Sequence, residues 1–402
     1  MTQPRALPDT NLPPYQGGRS WILGAAIAGA IGLALTFIGM AISPRPALLA
    51  YLIAFIFWLG LALGAVTLVM ANHASGARWN TTVRRLGETA GATMPLFILL
   101  FVPLLFGAKH LWYWVAPIDP PKELRDLLEH KRPYLNMGFF VVRAAVYFAC
   151  WTIVSWMLRA WSVRQDETAD PALTARARWW SPFGVLLFVL TFTFASFDWL
   201  MSLQPTFYST IFGLYVYAGV FVASLSLLCL VITGIRSSDT PLAALISVDH
   251  QHNAGKLLLA FVAFWAYMAF SQYMLIWVGN LPEEVTWILT RSRGVWRPVG
   301  ILIVLGHFLV PFFLLLSRDL KRSAPALAAV SAWMLAIHYI DLYWVVMPAA
   351  DESHLGLHWT HLTAFVGIGG VSVAAALLLF RAARPIPAGD PFLEDALRYV
   401  QP

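Results

Sequence analysis

The chain has 402 residues, 59% of them hydrophobic and only 12% charged, and its mean hydropathy is +0.67. An average soluble domain is about 25% charged, so this composition excludes a water-soluble globule and makes a lipid bilayer the solvent. The net charge of +6 reflects where Lys and Arg sit around the apolar stretches, and it does not point to nucleic acid.

The chain opens with a polar, Pro-rich segment, "MTQPRALPDTNLPPYQGG", and residues 1–19 read as a flexible or partner-bound tail. Ten apolar stretches follow, each near the ~20 residues a helix needs to cross a ~30 Å hydrocarbon core. They cover residues 20–42, 47–71, 89–107, 136–158, 182–203, 207–235, 254–278, 298–317, 324–347 and 359–383. Helices are expected, because an isolated span must satisfy its own backbone hydrogen bonds. The alternating pattern of a membrane β-barrel is absent. The first stretch is too long for a removed signal peptide and lacks a small-residue cleavage site, so it reads as an anchor. The expected fold is an all-α integral membrane protein with a polytopic domain over 20–385 and a tail over 386–402.

Loops 108–135 and 279–297 are long, and both begin with Trp-rich amphipathic sequence. Their Trp and Tyr residues are expected in the interfacial belt, and "PKELRDLLEHK" is expected to form a short surface helix. Lys and Arg crowd the side that holds both termini, from Arg5 and Arg19 to Arg381, Arg384 and Arg398. By the positive-inside rule that side is cytoplasmic. Cys150 and Cys229 fall inside spans and match no metal or haem spacing.

An internal repeat is visible. Asp198 precedes Pro205 by seven residues at the end of span five, and Asp341 precedes Pro348 by seven at the end of span nine. The long loops precede these spans in register. A parallel duplication of spans 2–5 and 6–9 accounts for both features. It predicts two four-helix bundles plus two extra helices.

Ionisable groups within spans are costly and mark function by default. Depth along the helices places Asp198, Arg143, Gln272, His338 and Asp341 in the outer half, with His307 nearer the middle. A second set, His73, Glu88, His252 and Lys256, lies at the inner surface. Together they suggest outer and inner half-channels for protons. His338 and Asp341 are three apart and share a helix face. The competing reading is structural, with Asp198 paired to Arg143 and the histidines hydrogen-bonded within the packing. No motif for a bound metal, haem, iron–sulfur cluster or nucleotide is present, and no covalent cofactor is expected.

Three longer motifs carry a resemblance: "FASFDWLMSLQPTFYSTIFGLYVYAG", "GKLLLAFVAFWAYMAFSQYMLIWVGNLPEE" and "HYIDLYWVVMP". They resemble the polysulfide-reductase membrane-anchor (NrfD-like) family, and within it the ActF-like quinone-binding-type subunits of alternative complex III. "ANHASGARWNTTVRRLGE" resembles the family's turn between spans two and three. The resemblance runs from about residue 20 to 385. It implies a multi-subunit quinol:cytochrome c oxidoreductase of a respiratory chain in the bacterial inner membrane. It also implies quinol or menaquinol as substrate, and partners comprising an Fe–S subunit, multi-haem c-type cytochromes and a paralogous NrfD-like subunit. In that family paired four-helix bundles hold a quinol site near the outer surface and proton paths are proposed through them. The role expected for this chain is proton translocation, with Asp198 and Asp341 as carriers, Arg143 tuning a neighbouring carboxylate and His338 as relay. The alternative is a stand-alone proton-coupled secondary transporter.

Overall fold

The computed structural model describes residues 8–401; residues 1–7 of the N-terminal tail and the final Pro402 lie outside the described residues. The chain is 78% helical with no strand among the described residues. Ten helices are long and apolar enough to cross a membrane. They are α1 (Arg19–Ile42), α2 (Pro44–Ala74), α3 (Thr81–Phe106), α4 (Met137–Thr168), α5 (Pro171–Leu203), α6 (Phe212–Arg236), α7 (Val248–Gly279), α8 (Trp296–Leu316), α9 (Ala324–Ala349) and α10 (Thr360–Arg381). An even number of spans puts both chain ends on one side, called here the terminal side; the other is the far side.

Helix packing follows the repeat. In the first bundle α2 and α4 each pack against α3 and α5; in the second α6 and α8 each pack against α7 and α9. The bundles meet along α2 and α6, where Ser224 Oγ donates to the carbonyls of Gly60 and Leu61 at 3.3 and 3.1 Å. Gly64 makes that approach possible, since a Cβ there would stand 2.0 Å from Ser224 Oγ. The two extra helices, α1 and α10, pair with each other and lie against α2. Gly29 and Gly32 bring α1 into backbone contact with Gly367 and Gly370 of α10, the small-residue packing that bilayers favour.

Several helices outrun their apolar stretches. The expected spans 136–158 and 182–203 become α4 and α5, which continue on the terminal side into a helical hairpin. Ala169 turns the chain with a left-handed φ of 47°, and Asp170 caps α5 by accepting from Ala172 N at 2.9 Å, with Pro171 at the first helical position. Hydropathy marks where lipid begins, not where the helix ends. The tail after α10 also folds back: Ile386 and Leu393 form a small core with Leu245.

The Trp-rich loops differ from expectation. Trp112 and Trp296 are fully buried, and Trp114 and Trp287 nearly so. Trp112 Nε1 donates to Trp199 O at 3.3 Å, and Trp114 Nε1 to Ser202 Oγ at 3.2 Å, so this loop caps the first bundle. Trp287 lies on the short helix Pro282–Ser292 and stacks on Phe207 at 4.8 Å over the second. These rings are packing elements of the far side and not an interfacial belt. The surface helix expected in the first loop forms over Lys122–Lys131 with no buried residue.

Candidate functional site

The far-half polar residues, which share a depth in sequence, separate into two sites, because depth along a helix says nothing of which way it faces. In the first bundle Asp198 is wholly buried near the far end of α5. Arg143 of α4 grips it from two sides, Nε donating to Oδ2 at 2.8 Å and Nη2 to Oδ1 at 2.7 Å. Tyr147 adds a third bond to Oδ2 at 2.8 Å. Arg143 is in turn held by the Tyr134 carbonyl at 2.9 Å and by the faces of Tyr134 and Phe139. Burial beside Asp198 pushes the Tyr134 phenol up, so it stays neutral. Bidentate Arg–carboxylate pairs are among the strongest hydrogen-bonded ion pairs, and this carboxylate has little capacity left for a substrate.

In the second bundle Asp341 is 3% exposed, and no Lys or Arg pairs with it among the described residues. Its hydrogen-bond partner is Tyr215 of α6, which donates to Oδ1 at 2.5 Å. His338, one helical turn earlier on α9, and His307 of α8 complete a cluster. One ligand atom from each of the three lies within 4.8 Å of the others. Both ring nitrogens of both histidines lack a hydrogen-bond partner among the described residues. His307 stacks on Trp265 of α7 at 3.9 Å between ring centres.

His307 sits in a local distortion: Val304–Leu309 winds as a π-turn inside α8. Pro311 cannot donate to the carbonyl four residues back, which is that of His307, so the helix yields there. Single π-turns of this kind recur at functional sites.

A cleft of about 980 Å³ lies between α7 and α8. Tyr267, Phe270, Tyr273, Ile301 and Val304 on its rim are exposed apolar or aromatic side chains. In a helix pair of this hydropathy those side chains face lipid, so the cleft opens sideways into the bilayer. Tyr215, Trp265 and Gln272 line it, and so connect it to Asp341 and His307. Gln272 is buried, with its Oε1 unpartnered among the described residues.

Sequence reading missed two lining residues. Tyr215 is one aromatic ring in a run of apolar helix, and nothing local distinguishes it. Arg291 was assigned to an interfacial loop, yet it is 1% exposed. It donates to the carbonyls of Val345 at 2.6 Å and Trp344 at 3.2 Å, at the end of α9, and to Gln204 Oε1 at 3.2 Å beyond α5. Burial pulls its guanidinium down to about 9, still a cation at neutral pH, and no carboxylate pairs with it among the described residues. A cation suits the carbonyl-rich end of a helix, and this one also ties the two bundles together.

The terminal-side residues do not make one mouth. Glu88 of α3 is buried between Arg84 at 2.9 Å and Arg85 at 3.2 Å; Arg84 also reaches Asp390 of the returning tail at 2.8 Å, and Arg85 reaches Asp166 at 2.9 Å. His73 is buried at the end of α2. His252 and Lys256 belong to the first turns of α7 in the other bundle, His252 buried and Lys256 exposed. The C-terminal segment therefore seals an ion-pair network at Glu88, and the two halves of the expected inner half-channel stand on different bundles.

Compared with protein-family models, and with curated proteins, the chain matches none.

Proposed function

We propose that this chain is a membrane subunit of a quinol:cytochrome c oxidoreductase of the alternative complex III type, and that quinol enters it through the cleft between α7 and α8. The observation that carries this reading is a bilayer-facing apolar cleft whose inner wall touches a buried, cation-free carboxylate. Quinols travel in lipid, so a lateral opening suits them, and their oxidation needs a proton acceptor beside the head group. Tyr215 lines the cleft and already donates to Asp341. A quinol hydroxyl hands its proton to Tyr215 Oη as the Tyr215 proton passes to Asp341. A positioned acid–base group of this kind contributes about 10²–10⁴-fold. Electrons leave to an Fe–S centre on a partner subunit and onward to c-type haem. His338 and His307, whose ring nitrogens beside Asp341 have no partner among the described residues, are the next acceptors.

The NrfD-like sequence motifs support the same reading, as does the far-side position of both carboxylates. In this reading the membrane is the bacterial inner membrane and the termini are cytoplasmic. The far side then faces the periplasm, where a released proton contributes to the membrane potential. The Asp198–Arg143 pair serves as structure, and Glu88 and His73 hold the terminal end of the first bundle. One observation favours the transporter alternative: the π-turn interrupts α8 within its span, as broken helices do in transporters.

Purification of the tagged chain from its native membrane in mild detergent separates the two readings. The expected result is co-purifying c-type haem and an Fe–S subunit, with haem reduced on addition of a menaquinol analogue. A colourless chain that stays folded alone and drives proton-coupled uptake in vesicles would replace the complex by the transporter.

A further inference from the structure

We infer that His307, His338 and Asp341 form a binding site for a divalent transition-metal ion, of which Zn²⁺ is the best-matched probe. The three groups come from α8 and α9, with ligand atoms within 4.8 Å of one another and all three side chains buried. Sequence spacing hides the site, because His307 and His338 are brought together only by helix packing.

Two independent observations point to a cation. The first is the orphaned imidazoles: four ring nitrogens, on two fully buried histidines, have no partner among the described residues. Buried polar groups are almost always satisfied, so four unpaired ring nitrogens in one place call for a partner. The second is the comparison with the first bundle. There a buried carboxylate at the corresponding place is neutralised by Arg143; here Asp341 accepts from the Tyr215 phenol and no Lys or Arg pairs with it among the described residues. Two imidazoles and one carboxyl group offer nitrogen and oxygen donors, a set that a divalent transition-metal cation complements.

The surroundings fit a held ligand set. Gly219 of α6 leaves the space that the His338 ring fills, since a Cβ there would meet His338 Cε1 at 2.9 Å. Trp265 fixes one face of His307, and Tyr215 orients the Asp341 carboxylate. Outer groups that fix a ligand's orientation are typical of metal sites. A Zn²⁺ ion takes nitrogen at about 2.0–2.1 Å and carboxylate oxygen at about 2.0–2.2 Å, so binding requires the three side chains to close inward. Two imidazoles and a carboxylate suit zinc, iron and copper better than magnesium or calcium.

The binding stands on its own; its consequence rests on the quinol reading. An ion on Asp341 displaces the proton that this group is proposed to accept, so Zn²⁺ acts as an inhibitor of quinol oxidation that a chelator reverses.

The test is a ⁶⁵Zn²⁺ equilibrium-binding titration of the purified, chelator-treated protein in its native complex, read as bound radioactivity per chain and so independent of haem absorption. The expected result is one site per chain, weakened more than about 100-fold in both His307→Gln and His338→Gln, beyond the usual 10–100-fold effect of an outer-shell change. His354→Gln, at an exposed histidine, leaves it intact. A wild-type protein with no saturable ⁶⁵Zn²⁺ binding overturns the inference, whatever becomes of the variants. Binding that survives both glutamine substitutions unchanged overturns it as well. Zn²⁺ binding at this site that leaves quinol turnover untouched supports the metal site and counts against the quinol reading. Quinol turnover in a protein that takes up no metal does the reverse.

Discussion

The two bundles carry the same carboxylate and treat it in opposite ways. Asp198 and Asp341 each lie seven residues before a proline at the far end of the fourth helix of a bundle. Asp198 is saturated by Arg143 and Tyr147. Asp341 has one phenol, two idle imidazoles and a cleft behind that phenol. Two bundles of like plan thus hold a buried carboxylate at a matching place, one as an internal strut and the other with room beside it. Burial alone does not distinguish these roles; the identity of the counter-group does.

The largest effect on that comparison is expected from Asp198→Asn. It leaves the Arg143 guanidinium buried without its charge partner, and breaking a buried pair costs about 3–5 kcal/mol. Thermal unfolding in detergent should show a large drop in Tm or loss of the folded protein. The double change Asp198→Leu with Arg143→Met should recover much of the loss, because apolar replacement of a whole buried pair is often neutral or stabilising. If the single variant unfolds no earlier than the parent, the strut assignment fails.

Asp341→Asn sharpens the contrast from the other side. No cation is abandoned, so Tm should stay near that of the parent or rise. On the proposed quinol reading, haem reduction in the complex should fall about 10²-fold or more. Full turnover in this variant would remove Asp341 as the proton acceptor. A smaller effect on stability belongs to Tyr215→Phe, which deletes the Tyr215 hydrogen bond to Asp341. A net hydrogen bond is worth about 0.5–1.5 kcal/mol, so Tm should fall slightly, while on the proposed reading haem reduction should fall about as far as in Asp341→Asn, because the relay is cut at the same step.

Most of the fold was legible, and for a definite reason. Bilayer solvation forces long apolar runs, so hydropathy marks the ten spans, and the Asp–Pro spacing agrees with the two-bundle packing. Positions along the helix axis were therefore readable. Positions around it were not: Asp198 and Asp341 share a depth but face separate sites. Spans four, five and seven are longer than their apolar cores, because caps such as Asp170 and Ser247 lie outside the lipid. Arg291 looked interfacial since it stands in a charged loop, and only the folding of that loop onto the end of α9 buries it. The pairing of Arg143 with Asp198, one of the two readings the sequence allows, is present in the geometry.

Gln272 provides the finest test of the comparison. It lines the cleft of the second bundle, is buried, and keeps an unpartnered Oε1. A group retained for packing has no reason to hold an unsatisfied acceptor, and replacing it with an apolar residue of similar size removes a desolvation penalty. Gln272→Leu should therefore unfold no earlier than the parent. If the cleft receives a quinol head group, the amide is placed to hydrogen-bond it. The variant's KM for quinol should then rise several-fold while kcat stays close to that of the parent, the signature of lost uniform binding. A variant that gains stability and keeps its KM would make Gln272 a bystander and move the head group deeper, towards Tyr215.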